Sequence, residues 1–169
     1  MLDCNHIQTH GGVIDQCSSS LNCFKTSIVS FPHGNPDHVQ KLSIQLRNVR
    51  FLEVYDWLAG NPYRTYRKAF MESFVPTLQN LEGITIEIAD DAFEIGNRLY
   101  FPLSADECKR ILPRSIPDSS LCLLLANNPR LKKVKICVPD SFCESLEWVR
   151  ECFPLMGENG LLEVCFRKL

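Results

Sequence analysis

The sequence predicts an α/β fold in which short parallel strands lie side by side, with helices packed on the other side of the sheet. Three observations predict it. One apolar frame recurs along the chain, segments of helical period separate its copies, and turn residues mark the boundaries. The frame is apolar-x-x-apolar-x-apolar, whose last two positions alternate as a strand does. Its clearest copy is Leu131-Lys-Lys-Val134-Lys-Ile136-Cys-Val138, introduced by Asn128-Pro-Arg. Leu81-Glu-Gly-Ile84-Thr-Ile86 and Leu161-Leu-Glu-Val164-Cys-Phe166 repeat it, and Val49-Arg-Phe-Leu52-Glu-Val54 is a looser copy.

Between the copies the period changes. Tyr63 to Phe74 carries Tyr66, Ala69, Phe70 and Phe74 on one helical face, with Pro62 suited to the first turn and Pro76 closing it. Ser104-Ala-Asp-Glu107 is a capping box that opens a short helix stopped by Pro113. Asp118 to Ala126 supplies a second, nearly all-apolar helix. Ser141-Phe-Cys-Glu144 is another capping box, and Phe142, Leu146, Val149 and Phe153 continue it as one apolar face ended by Pro154 and Gly157. Val39-Gln-Lys-Leu42-Ser-Ile44-Gln-Leu46 alternates and reads as a strand or a capping unit.

Residues 1–38 differ from the rest. They hold all four histidines and polar runs, and read as a loosely attached segment with a possible edge strand at 24–32. Residues 39–169 then form the repeat-bearing domain, with an insertion at about 90–117 that makes one interval longer than its neighbours.

Composition limits the function classes. The chain has 169 residues, is 45% hydrophobic and 22% charged, and can bury one core. A formal net charge of −2 gives no basis for nonspecific nucleic-acid binding. The longest apolar run, Leu121 to Ala126, is far short of a membrane span. Nine irregularly spaced cysteines, behind an N-terminus without the pattern of a secretory signal, fit reduced thiols in the cytoplasm or nucleus. Cys108, Cys122, Cys143 and Cys152 read as small buried apolar groups.

The recurring frame is the strand half of a leucine-rich repeat, and a short irregular solenoid of such repeats is the architecture expected, with an open α/β sheet joined by ordinary right-handed crossovers as the competing plan. The phrases Thr77-Leu-Gln-Asn-Leu81-Glu-Gly-Ile-Thr-Ile86 and Asn128-Pro-Arg-Leu131-Lys-Lys-Val-Lys-Ile136 resemble the leucine-rich repeats of F-box proteins, especially divergent fungal ones. Trp148 to Pro154, with Gly160 to Val164, is similar to the way such arrays end. The resemblance covers about residues 39–169 and implies the substrate-binding part of a ubiquitin-ligase receptor. An F-box would dock a Skp-type adaptor and a cullin, but no recognisable F-box precedes the repeats in residues 1–38.

Alternation also names the candidate site. With Leu52, Val54, Ile84, Ile86, Val134, Ile136, Val164 and Phe166 pointing inward, the intervening residues point outward. These are Phe51, Glu53 and Tyr55, then Thr85 and Glu87, then Lys133, Lys135 and Cys137, then Glu163, Cys165 and Arg167. In a solenoid such rows form one surface, acidic beside basic, on which a protein partner can lie. The competing reading is a solvated face with weak cross-strand ion pairs.

An enzyme is the alternative, with Asp90, Asp91 and Glu94 beyond a strand end as the acid–base groups, although a turn and helix cap explain them as well. The chain contains no phosphate-cradling loop, no G-x-S-x-G and no H-E-x-x-H, so no cofactor is expected. Cys4, His6, His10, Cys17 and Cys23 are zinc-ligand types, but only His6 and His10 have a usual spacing, and no metal is expected. Arg64, Arg67 and Lys68 read as a solvated helix face.

Overall fold

The computed structural model describes residues 22–27, 36–56, 67, 70–88, 93–95, 98–100, 104–140 and 145–167. Five parallel strands form the main sheet: β1 (Cys23–Ser27), β2 (Phe51–Asp56), β3 (Gly83–Ile88), β6 (Lys133–Val138) and β7 (Leu162–Phe166). They lie side by side in chain order. A separate antiparallel hairpin, β4 (Phe93–Ile95) with β5 (Arg98–Tyr100), lies within the predicted insertion.

Helices fill the crossovers. α1 (Pro36–Gln45) joins β1 to β2, and a π-helical turn, Phe70–Phe74, followed by a tight turn, Val75–Thr77, precedes β3. α2 (Ala105–Ser115) and α3 (Asp118–Asn127) precede β6, and α4 (Glu147–Glu151) with α5 (Pro154–Glu158) precede β7. The wide π turn brings Phe70, Met71 and Phe74 to the core together. The Ser104 capping box forms as expected, with Ser104 Oγ accepting from the Glu107 amide and Glu107 reaching back to Ser104 N. Asp118 does more than start α3: its carboxylate accepts from the Leu155 and Met156 amides at 2.7 and 3.2 Å, so it also caps α5.

The same turn precedes three strands. The amides of Val49, Leu81 and Leu131 donate to Leu46 O, Leu78 O and Asn128 O, each three residues back. Arg50 and Phe51 donate to Asn22 O, Glu82 and Gly83 donate to Arg50 O, and Lys132 donates to Glu82 O, which carries one hydrogen-bond pattern across four strands. Asn80 joins the turns, donating to Arg47 O and accepting from Arg130 Nη1.

Several sequence expectations change. Residues 39–45 lie in α1 and Leu46 in the turn that follows it, so this stretch is not a strand. Leu42, Leu46 and Val49 are buried at helical spacing, and Ile44, the residue that completed the alternation, is 60% exposed. α2 runs past Pro113 to Ser115, and Pro154 opens a second helix instead of merely ending one. Arg67 is buried, not solvated, because its Nε donates to Asp56 Oδ2 at 2.6 Å, and Asp56 is an inward-facing residue of β2. The edge strand expected at 24–32 is present as β1, Cys23–Ser27, at one edge of the sheet, and residues 28–32 lie outside the described residues.

The frame holds in register for three copies: Leu52 pairs with Ile84 and Ile84 with Val134. The fourth copy is displaced by two residues, so Val134 faces Leu162 and Ile136 faces Val164. A shift of two keeps each side chain on its face. It places Phe166 opposite Val138, at the end of the last strand with a neighbour on one side only. Phe166 is therefore 37% exposed, where the frame predicted it inward.

The inward residues of the sheet and the apolar faces of the helices form one core, including Leu52, Ile84, Ile86, Val134, Ile136, Phe70, Phe74, Leu121 and Phe153. Gly160, at φ +67, makes the left-handed turn into β7 that an L side chain rarely adopts. Among the described residues, no helix is long and apolar enough to cross a membrane.

Candidate functional site

The opposite face of the sheet carries the predicted outward residues in transverse rows, which the register defines. The first row is Cys23, Phe51, Gly83 and Lys133. The second is Lys25, Glu53, Thr85, Lys135 and Glu163, and the third is Ser27, Tyr55, Glu87, Cys137 and Cys165. Arg167 follows β7, its amide donating to Val138 O at 2.7 Å. All nine predicted contact residues, Phe51, Glu53, Tyr55, Thr85, Glu87, Lys133, Lys135, Glu163 and Arg167, are exposed or half-buried and share this face.

Ion pairs tie the outer strands together. Lys25 Nζ lies 3.2 Å from Glu53 across β1 and β2. Glu163 on β7 pairs with Lys133 and, at 3.5 Å, with Lys135 on β6. The Lys133 hydrogen bond holds the Glu163 carboxyl below the usual carboxylate range. At the N-terminal rim, Arg50 Nε donates to Glu82 Oε1 at 2.7 Å, and the Arg50 hydrogen bond pulls Glu82 down likewise. Lys25 also sits 4.6 Å above the Tyr55 ring. Burial disfavours its charge, yet hydrogen bonds to Tyr55 and Glu53 outweigh that and raise its pKa.

β3 is the low point between these walls. Gly83 and Thr85 floor a groove of about 640 Å³, with Phe51 and Glu53 on one side and Lys133 and Lys135 on the other. A Cβ at Gly83 would come 3.2 Å from Phe51 Cδ1, so glycine lets the 46%-exposed Phe51 ring lean over the floor. At the other end of the face, the Arg167 guanidinium lies 5.8 Å from the Tyr55 ring. β3 and β6 separate their strands, so the two side chains meet above the row that holds Glu87 and Cys137. Cys137, expected to be outward and accessible, is 5% exposed. Its Sγ contacts Cys165 Sγ at 3.0 Å.

A second groove of about 710 Å³ lies on the helical side, between Lys109, Pro113, Pro117, Trp148 and Leu155. Trp148 packs partly buried against the core, and its Nε1 has no hydrogen-bond partner among the described residues.

Other candidates fall elsewhere. Asp90 and Asp91 lie outside the described residues, and Glu94 is in β4. Cys4, His6, His10 and Cys17 also lie outside them, while Cys23 is exposed at the sheet edge. Among the described residues, no three histidine, cysteine or acidic side chains cluster as a metal site would. Cys108 is fully buried, as a small apolar group would be, and Cys122 and Cys152 are half-buried.

Sequence reasoning missed three features of this face. Lys25 was not included because β1 lay outside the repeat frame. The groove comes from the smallness of Gly83, which hydropathy does not register. The contact of the two thiols depends on the two-residue shift of β7. Comparison with known protein families, with characterised proteins and with solved structures returns no match.

Proposed function

We propose that the chain is a non-catalytic protein-binding module, a short leucine-rich-repeat-type solenoid that holds its partner on the open strand face. The observation that carries this reading is a sequential all-parallel sheet whose inward residues meet the helices while its outward residues, the buried Cys137 apart, are exposed or half-buried. The recurrent turn before β2, β3 and β6 supports the repeat character. Sheets covered by helices on both faces bury both sets of alternate residues, and this one buries one set. The contact residues are Phe51, Glu53, Tyr55, Thr85, Glu87, Lys133, Lys135, Glu163 and Arg167. The groove over Gly83 fits a segment that presents an apolar side chain to Phe51 with an acidic one beside it for Lys132 and Lys133.

On this reading the chain works in the cytoplasm or nucleus, without a cofactor, and its similarity to F-box repeat regions makes substrate capture for a cullin ligase the specific role. The test is affinity purification of the tagged chain from its native cells, with Lys133→Glu/Lys135→Glu and a helix-side Lys109→Glu variant as comparisons. Partners kept by Lys109→Glu and lost with the double reversal support the face. Equal recovery with all three chains overturns it. A Skp-type adaptor and a cullin among the partners support the ligase role, and their absence removes it.

A further inference from the structure

We propose that Cys137 and Cys165 are a modification site, closing to a reversible disulfide between β6 and β7 when the protein meets a hydroperoxide. The two residues are direct register partners on adjacent parallel strands. Such neighbours lie about 4.8 Å apart, within the roughly 4.4–6.8 Å Cα separation that a disulfide spans. Their sulfurs already touch at 3.0 Å on the same face, so bond formation needs a closure of about 1 Å, within reach of side-chain rotation. This contact is a product of the β7 shift. In the unshifted frame Cys165 would face Lys135, whereas the observed register puts Lys135 opposite Glu163.

The environments of the two thiols assign an order. Cys165 is half-buried and Cys137 is 5% exposed, so the oxidant reaches Cys165 first. Burial and the neighbouring thiol push Cys137 up to about 12, which keeps it protonated until its partner has reacted. The Cys165 thiolate attacks a peroxide oxygen, the O–O bond breaks, and a sulfenic acid forms as hydroxide or alkoxide leaves. The Cys137 sulfur then attacks the Cys165 sulfur. The S–O bond breaks and the Cys137 proton leaves with the oxygen as water. Two thiols lose two electrons in total, and one hydroperoxide accepts them. A dithiol reductant reverses the change by thiol–disulfide exchange.

The bond would staple the last strand of the sheet to its neighbour at the end of the open face where Arg167 crosses to Tyr55. The inference stands on geometry alone and does not depend on the face having a protein partner. Cys122 and Cys152, both half-buried, serve as internal comparisons.

The experiment treats the full native chain with hydrogen peroxide, alkylates it, and maps its peptides without reduction. The expected result is a Cys137–Cys165 linked pair, lighter by two hydrogens and released by dithiothreitol, with Cys122 and Cys152 still alkylated. In denaturant the same pair should form more slowly by at least about tenfold, because the fold supplies the orientation. Cys137→Ser should leave a sulfenic acid at Cys165 that a cyclic dione traps. Recovery of both cysteines unlinked, linkage to other cysteines instead, or linkage equally fast in denaturant would overturn the proposal.

Discussion

The two faces of one sheet are made from alternate residues of the same strands, yet they follow different chemistry. On the covered face, Leu52, Ile84, Ile86, Val134 and Ile136 are at most 1% exposed. Among the described residues of that face the charged one is Asp56, which meets Arg67. On the open face each acidic residue of the middle row has a basic partner on an adjacent strand, and the floor at Gly83 is left empty of side chain. Burial of apolar area stabilises the first face. Exposed ion pairs contribute little to the second. The difference teaches that the open face is free to vary chemically without unfolding the chain, which is what a recognition surface requires.

The sharpest way to break this division is Asp56→Ala. It leaves Arg67 buried without this carboxylate, and the expected loss is about 3–5 kcal/mol by denaturant unfolding. An Asp56→Leu/Arg67→Met pair should recover much of that loss, because matched apolar groups need no desolvated charge. Ile86→Ala, at the centre of the covered face, should cost about 2–5 kcal/mol in the same measurement. Lys133→Glu/Lys135→Glu, on the open face of the neighbouring strand, should shift stability by no more than about 1 kcal/mol. A loss as large as that of Ile86→Ala would mean that the open face also holds the fold.

The smallest effect is pH-dependent. Hydrogen bonding to Lys133 lowers the Glu163 pKa from 4.5, so the folded form binds its proton less readily than the unfolded chain does. The stabilisation from this carboxylate is present above 4.5 and is lost as the pH falls through the lowered folded value. The stability difference between the wild type and Glu163→Gln should therefore shrink on acidification below 4.5 and stay flat above it.

Strands β2, β3, β6 and β7 were legible because strict alternation over five or six residues is a strong signal when one face is buried. Their outward residues followed from the same alternation. α1 was misread because Leu42, Ile44 and Leu46 satisfy a strand period, while the helical set Leu42, Leu46 and Val49 was equally present. An apolar residue left in solvent, here Ile44, cannot be recognised from hydropathy alone. Arg67 looked like one of a solvated trio, since a buried charge is expected only once its partner is known, and Asp56 lies on another element. The register of β7 was beyond a repeat frame, because a two-residue slip preserves the pattern that defines the frame. That slip decides both the exposure of Phe166 and the meeting of Cys137 with Cys165.

The most direct measurement is lysine footprinting of the complex recovered from cells, by brief acetylation and mass spectrometry of the native assembly. Lys25, Lys133 and Lys135 lie on the open face, while Lys41 in α1 and Lys109 in α2 are exposed on helices that cover the other one. Protection of Lys133 and Lys135 by the bound partner, with Lys41 and Lys109 reacting as they do in the free chain, is the result expected. Protection of Lys41 or Lys109, with the face lysines unchanged, would place recognition on the helices and contradict the division of labour between the two faces.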